Sequence, residues 1–107
     1  MTSENINTII STIKGTISHD ERIAMFNKAC AIDPHDTVVI EELSELIKAV
    51  SKINRCHNNE HLKSLMEEIA DVKIVIERIM HKYNIKEDDI DKLVVFKINR
   101  FIDRYGI

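Results

Sequence analysis

The 107-residue chain has 2 glycines, 1 proline and no tryptophan. Sheets need many turns, and turns use glycine and proline, so this scarcity argues against an all-β fold. Two cysteines, Cys30 and Cys56, cannot form a disulfide framework. No apolar run approaches the ~20 residues that cross a bilayer, so no membrane association is expected. Positive charge is not in excess: 15 basic against 18 acidic residues give a net charge of -3, which argues against gripping a nucleic-acid polymer. The first five residues, Met1 to Asn5, show no positive n-region and no signal-peptide core. These absences predict a single, soluble, cytoplasmic, all-α domain over residues 1–107, with 1–17 as an N-terminal extension carrying a short helix.

What is present is helical periodicity with punctuation. Ile6, Ile9, Ile10 and Ile13 recur at helical spacing before Gly15. Ser18 followed by Glu21 reads as a capping box for a second helix from about His19 to Ile32, which Asp33-Pro34 ends. Asp36 or Thr37 is expected to cap a third helix, to about Cys56, with the stripe Val39, Leu43, Leu46, Val50 and Ile53. Asn58-Asn59 introduces a fourth helix to about Tyr83, striped by Leu62, Leu65, Met66, Ile69, Val72, Ile76 and Met80, with Asn84 as its stop. A fifth runs from about Lys86 to Tyr105, its start favoured by Glu87, Asp88 and Asp89. Short connections imply an antiparallel bundle of about five helices. Ile74 and Val75 lie off the main stripe of the fourth helix, so a second subunit is expected to complete the bundle. Lys73 interrupts that stripe without an evident reason.

Carboxylates carry the chemistry. Residues three apart share a helix face, so Glu42 pairs with Glu45 and Glu68 with Asp71, while Glu41 precedes Glu45 by four. Antiparallel packing would set the two pairs opposite each other at the edge of the core. Converging carboxylates without cations repel, so some stay protonated or a cation binds. Magnesium takes carboxylate oxygens and keeps waters and phosphates as its other ligands. Lys97, Arg100 and Arg104 lie on or beside the stripe of Ile90, Leu93 and Phe101 on the fifth helix, and Lys52 lies beyond Glu45. Salt bridges to the acidic helices or phosphate binding would both use them.

The motif Glu41-Glu42-x-x-Glu45, a spacer, then Glu68-x-x-Asp71 resembles the signature of the all-α nucleoside triphosphate pyrophosphohydrolases. The segments Glu41 to Lys52 and Glu67 to Val72 are similar to those of short MazG-like members, as is the ending Lys97 to Tyr105. The resemblance spans about Phe26 to Tyr105. It implies hydrolysis between the α and β phosphates of a (deoxy)nucleoside triphosphate, giving a monophosphate and pyrophosphate. It further implies Glu42, Glu45, Glu68 and Asp71 as magnesium ligands, with manganese as a substitute. Glu41, Glu42 and Glu45 would be the catalytic set, Glu41 as an outer ligand, second-metal ligand or base for the attacking water. Lys52, Lys97 and Arg100 would contact phosphates, and the protein would be a homodimer or homotetramer. The segment Asp33-Pro34-His35-Asp36-Thr37 departs from the family text at that point, where the nucleotide site is shaped.

Other readings fit less well. A di-iron bundle needs Glu-x-x-His pairs, and neither His57, His61 nor His81 follows a glutamate by three. Zinc at Cys56, His57 and His61, with or without Cys30, matches no common spacing. A helix-turn-helix role for the C-terminal basic residues conflicts with the net charge. A non-enzymatic helical interaction module is the alternative of a different class: it would leave the carboxylates as ordinary surface and would not need magnesium.

Overall fold

The computed structural model describes residues 6–13 and 15–106. The Met1 to Asn5 segment examined for a leader lies outside them. Among the described residues five α-helices follow one another: α1 (Ile6–Thr12), α2 (His19–Ile32), α3 (Thr37–Arg55), α4 (Asn59–Lys82) and α5 (Glu87–Tyr105). There is no strand among the described residues, so the fold is all-α. No helix there is long and apolar enough to cross a membrane.

Side chains set the helix ends. Ser18 Oγ accepts from the Glu21 N–H at 3.1 Å. The return half of the box differs from expectation: Glu21 Oε1 takes the Ser18 hydroxyl at 3.0 Å rather than a backbone N–H. Asn58 Oδ1 caps α4 by accepting from the His61 N–H at 2.7 Å. Asn84, just past α4, takes a left-handed φ of 51°, a conformation that asparagine tolerates better than most residues. The cap of α3 is a correction. Asp36 occupies the N-cap position with φ 56° and makes no side-chain cap bond. Asp33 caps instead, its carboxylate accepting from the N–H groups of Thr37 and Val38, both at 3.0 Å. The turn through Pro34 folds Asp33 back over the free end of α3.

Packing centres on α4, with α3 and α2 against it. The α3–α4 hairpin is antiparallel, since Lys82 near the end of α4 bonds Asp36 at the start of α3. Phe26 of α2 is buried beside the His81 ring, and Asn27 Oδ1 lies 2.7 Å from His81 Nε2. Arg22 and Glu77 form an ion pair at 2.8 Å. Among the described residues the buried apolar ones are Phe26, Val39, Ala49, Val72 and Val75. Val75, which the sequence placed off the main stripe, is therefore in the core.

One buried polar cluster ties three helices together. Arg78 is only 4% exposed. Its Nη2 donates to the Asp33 carbonyl at 2.7 Å, to Asp33 Oδ2 at 3.2 Å and to Asp36 Oδ1 at 3.4 Å. Lys82 Nζ adds bonds to Asp36 Oδ2 at 2.7 Å and to the Pro34 carbonyl at 2.9 Å. The Thr37 hydroxyl and the Val38 N–H hold the Asp33 carboxyl far below the usual carboxylate range. Its folded pKa is depressed, so this cap contributes stability that is full above the ordinary carboxylate pKa and fades as pH falls from there through the folded value.

The packed part is smaller than a five-helix bundle. The radius of gyration is 17.0 Å, against ~13 Å for a compact chain of about 100 residues. From Asp91 to Gly106 every residue is exposed. The expected inward stripe of α5 is thus not inward within one chain: Leu93 and Phe101 are each 50% exposed. On α3, Leu43 and Val50 are likewise exposed, whereas Val39 and Ala49 face α4.

Removing one partner of a buried ion pair strands the others. Arg78→Ala is expected to lower the unfolding free energy by about 3–5 kcal/mol, measured by urea denaturation. A loss below about 1 kcal/mol would show that the cluster is not what joins the helices.

Candidate metal centre

Glu42 sits near the middle of α3. Glu68 and Asp71 sit one turn apart near the middle of α4. The antiparallel hairpin brings the three together, with one carboxylate oxygen from each lying within 4.8 Å of the others. This is the only group of three or more metal-ligating side chains that converges so closely among the described residues. His61 is occupied locally: its Nδ1 lies 2.6 Å from the Cys56 carbonyl oxygen.

Among the described residues no ion pair offsets the charge of the group. Burial raises the Glu42 pKa above its ordinary value, and the charges of Asp71 and Glu68 raise it further. A hydrogen bond shared with Asp71 acts in the same direction, and Glu41 adds a smaller repulsion. Glu68 Oε2 is buried with no hydrogen-bond partner among the described residues. A buried carboxylate oxygen without a donor is costly, and a bound cation removes that cost. Three hard oxygen donors from two helices suit magnesium or manganese, and they leave coordination positions for water and phosphate.

The other sequence-predicted residues are placed as follows. Glu45 stands outside the three-carboxylate group; its Oε1 is 3.3 Å from Lys48 Nζ on the same helix. Three residues on a helix advance 300°, so Glu45 is turned about 60° from Glu42. Glu41 is exposed on α3 and reaches the group through its charge on Glu42. Lys52 is exposed toward the end of α3. Lys97 and Arg100 lie on α5, lining with Phe101 and Arg104 a shallow hollow of about 240 Å³. Arg100 lies over the Phe96 ring and Arg104 over the Phe101 ring, at 5.8 and 6.0 Å from the centroids. Within one chain, α5 is not packed broadly against α3 or α4, so these cations are not brought onto the carboxylates.

Two features were not read from the sequence. The first is the Arg78 cluster. Its signal was available, since Arg78 follows Asp71 by seven residues and so shares its side of α4. The second is a cavity of about 470 Å³ between α2, the end of α4 and the start of α5, lined by Arg22, Phe26, Glu77, His81 and Ile85 among others. No local motif marks it, because its walls come from three separated segments.

No family model, curated protein or solved structure matches the chain.

The raised Glu42 pKa gives a signed prediction. A carboxyl whose folded pKa exceeds its unfolded value stabilises the fold at low pH, and that stability is lost as pH rises through the folded pKa. In metal-free buffer at pH 8, Glu42→Gln is expected to melt a few degrees above the wild type, and the gap should close when magnesium is added. A lower melting temperature for Glu42→Gln in metal-free buffer would contradict the repulsive arrangement.

Proposed function

We propose that the chain is a magnesium-dependent nucleotide pyrophosphohydrolase of the MazG-like type, working as a cytoplasmic homo-oligomer. The observation that carries this reading is the convergence of Glu42, Glu68 and Asp71, with a buried, unpartnered oxygen on Glu68. The motif resemblance supplies the reaction: water attack at a nucleoside triphosphate, releasing a monophosphate and pyrophosphate.

Glu42, Glu68 and Asp71 would hold the metal, with Glu45 joining from the next turn of α3. Bound there, magnesium offsets phosphate charge and lowers the pKa of a coordinated water. Glu42 is a ligand only as a carboxylate, so metal affinity falls as pH drops into its raised titration range. Glu41, exposed beside Glu42, would orient the attacking water. Lys52 provides a cation on the same helix. Lys97 and Arg100 suit triphosphate oxygens in character, as a point charge and a planar fork. Their helix, α5, is exposed in the single chain, so they would reach the substrate in the assembled oligomer.

The interaction-module alternative draws on one observation, the uncovered apolar residues of α5, including Val95, Phe96 and Ile98. Metal dependence separates the two. Incubation with ribo- and deoxynucleoside triphosphates is expected to release pyrophosphate and monophosphate only when magnesium or manganese is present. Asp71→Asn and Glu68→Gln should each reduce turnover by about 100-fold or more while helix content is retained. Wild-type rates in both variants would remove the site assignment. A folded protein that is inactive across the panel and indifferent to magnesium would favour the interaction module.

A further inference from the structure

A cavity of about 470 Å³ lies where α2, the end of α4 and the start of α5 meet, and the carboxylate site does not use it. Small-molecule sites are clefts of roughly 300–1,000 Å³ with apolar walls and a few placed polar groups. Glu77, on the wall of this cavity, follows Asp71 by six residues. Between them α4 rises about 9 Å and turns about 240°. The cavity therefore lies on a different side of α4 from the carboxylate group.

Its walls combine apolar surface with one ion pair. Ile23 and Phe26 come from α2, Met80 from α4 and Ile85 from the turn before α5. Phe26 is buried, and its ring centroid lies 6.0 Å from that of His81 with the planes tilted by 35°. Met80 is flexible and polarisable, so it adapts to a flat ring. Arg22 Nη1 donates to both oxygens of Glu77, at 2.9 and 2.8 Å. The pair cancels its own charge but not its hydrogen-bonding capacity. A guanidinium has about five N–H donors and a carboxylate about four acceptor positions, so a donor and an acceptor remain side by side at the cavity. Glu87 also lines the cavity and repels an anion.

We infer that this cavity binds a neutral planar nitrogen heterocycle with a hydrogen-bond donor and an acceptor adjacent on one edge, the chemistry of a nucleobase. The ring lies against Phe26, Met80 and Ile85. Its edge meets the ion pair, with the Arg22 guanidinium donating to the acceptor and the Glu77 carboxylate accepting from the donor. Two parallel bonds to charged groups fix the orientation of such an edge. Glu77 and Glu87 exclude a phosphate-bearing ligand, so a base or nucleoside fits and a triphosphate does not. A ligand there touches none of the three carboxylates, and its position is that of an effector. Within one chain α5 packs little against the other helices, so a ligand bridging Phe26 and Ile85 ties the approach of α5 to α2 and α4. The inference rests on the cavity and not on the hydrolytic reading.

Proton–nitrogen NMR of the labelled full chain, without magnesium, tests this with inosine, adenosine, uridine and cytidine as probes. At least one of them is expected to give saturable shifts with a Kd of about 1 mM or tighter. The shifts should fall on amides of Arg22 to Phe26 and Glu77 to Ile85, and not around Glu42. The same nucleoside methylated on its edge nitrogen loses the donor and should bind at least about 10-fold more weakly. Arg22 and Glu77 are half-exposed, and exposed ion pairs contribute little to stability, so Arg22→Met and Glu77→Met should keep the fold. Each should weaken binding by at least about 10-fold. Asp71→Asn should bind as the wild type does. No saturable shift with any of the four nucleosides, shifts centred on the carboxylates, unchanged affinity in both methionine variants, or binding lost in Asp71→Asn would each overturn the inference. Nucleoside binding without triphosphate turnover removes only the hydrolase reading, and magnesium-dependent turnover without nucleoside binding removes only this one.

Discussion

The register between α3 and α4 is the constraint on which the rest depends, and the Arg78 cluster sets it. Arg78 reaches Asp33 and Asp36, joining the end of α2 and the start of α3 to the last turns of α4. From that anchor, Glu42 is six residues along α3 and Asp71 is seven residues back along α4. At ~1.5 Å per residue both lie about two turns away, so the anchor delivers them to the same level. A slip of one residue would turn Glu42 by ~100° and break the three-carboxylate group. The same polar cluster satisfies the α3 N-terminus through Asp33, so capping, helix docking and site assembly share one set of side chains.

At that level the chain tolerates an arrangement it cannot neutralise by itself. Glu42, Glu68 and Asp71 face one another with no lysine or arginine ion-paired to them among the described residues. Two turns away, the aspartates of the Arg78 cluster are fully supplied with cations. The contrast lies within one hairpin. The aspartates at the helix junction are paired, and the three carboxylates at the hairpin's middle have no ion pair among the described residues. Their hard oxygen donors are of the kind that divalent cations take.

Much of this was legible in the sequence because helices expose their rules locally. Ser18, Asn58 and Asn84 mark boundaries through side-chain bonding or left-handed backbone, and the structure places them there. Glu42, Glu68 and Asp71 were legible because three-residue spacing and an antiparallel hairpin suffice to bring them together. Glu45 was grouped with them because it shares the spacing, but spacing does not say which way the face turns relative to α4. Asp33 was not read as the α3 cap because the turn at Pro34 makes a contact four residues ahead. The two apolar stripes of α3 were merged into one because a one-residue offset is invisible until a partner helix defines the inward side. For α5 the sequence showed an apolar face and three cations, but a pattern of apolar residues does not name what covers them.

The most direct test of the central claim is calorimetric titration of the purified, metal-free protein with magnesium near pH 8. The account predicts saturable binding, lost in Asp71→Asn and weakened as pH falls into the raised range where Glu42 takes up its proton. Absence of binding at millimolar magnesium in the folded wild type, or binding unaltered by Asp71→Asn, would contradict it.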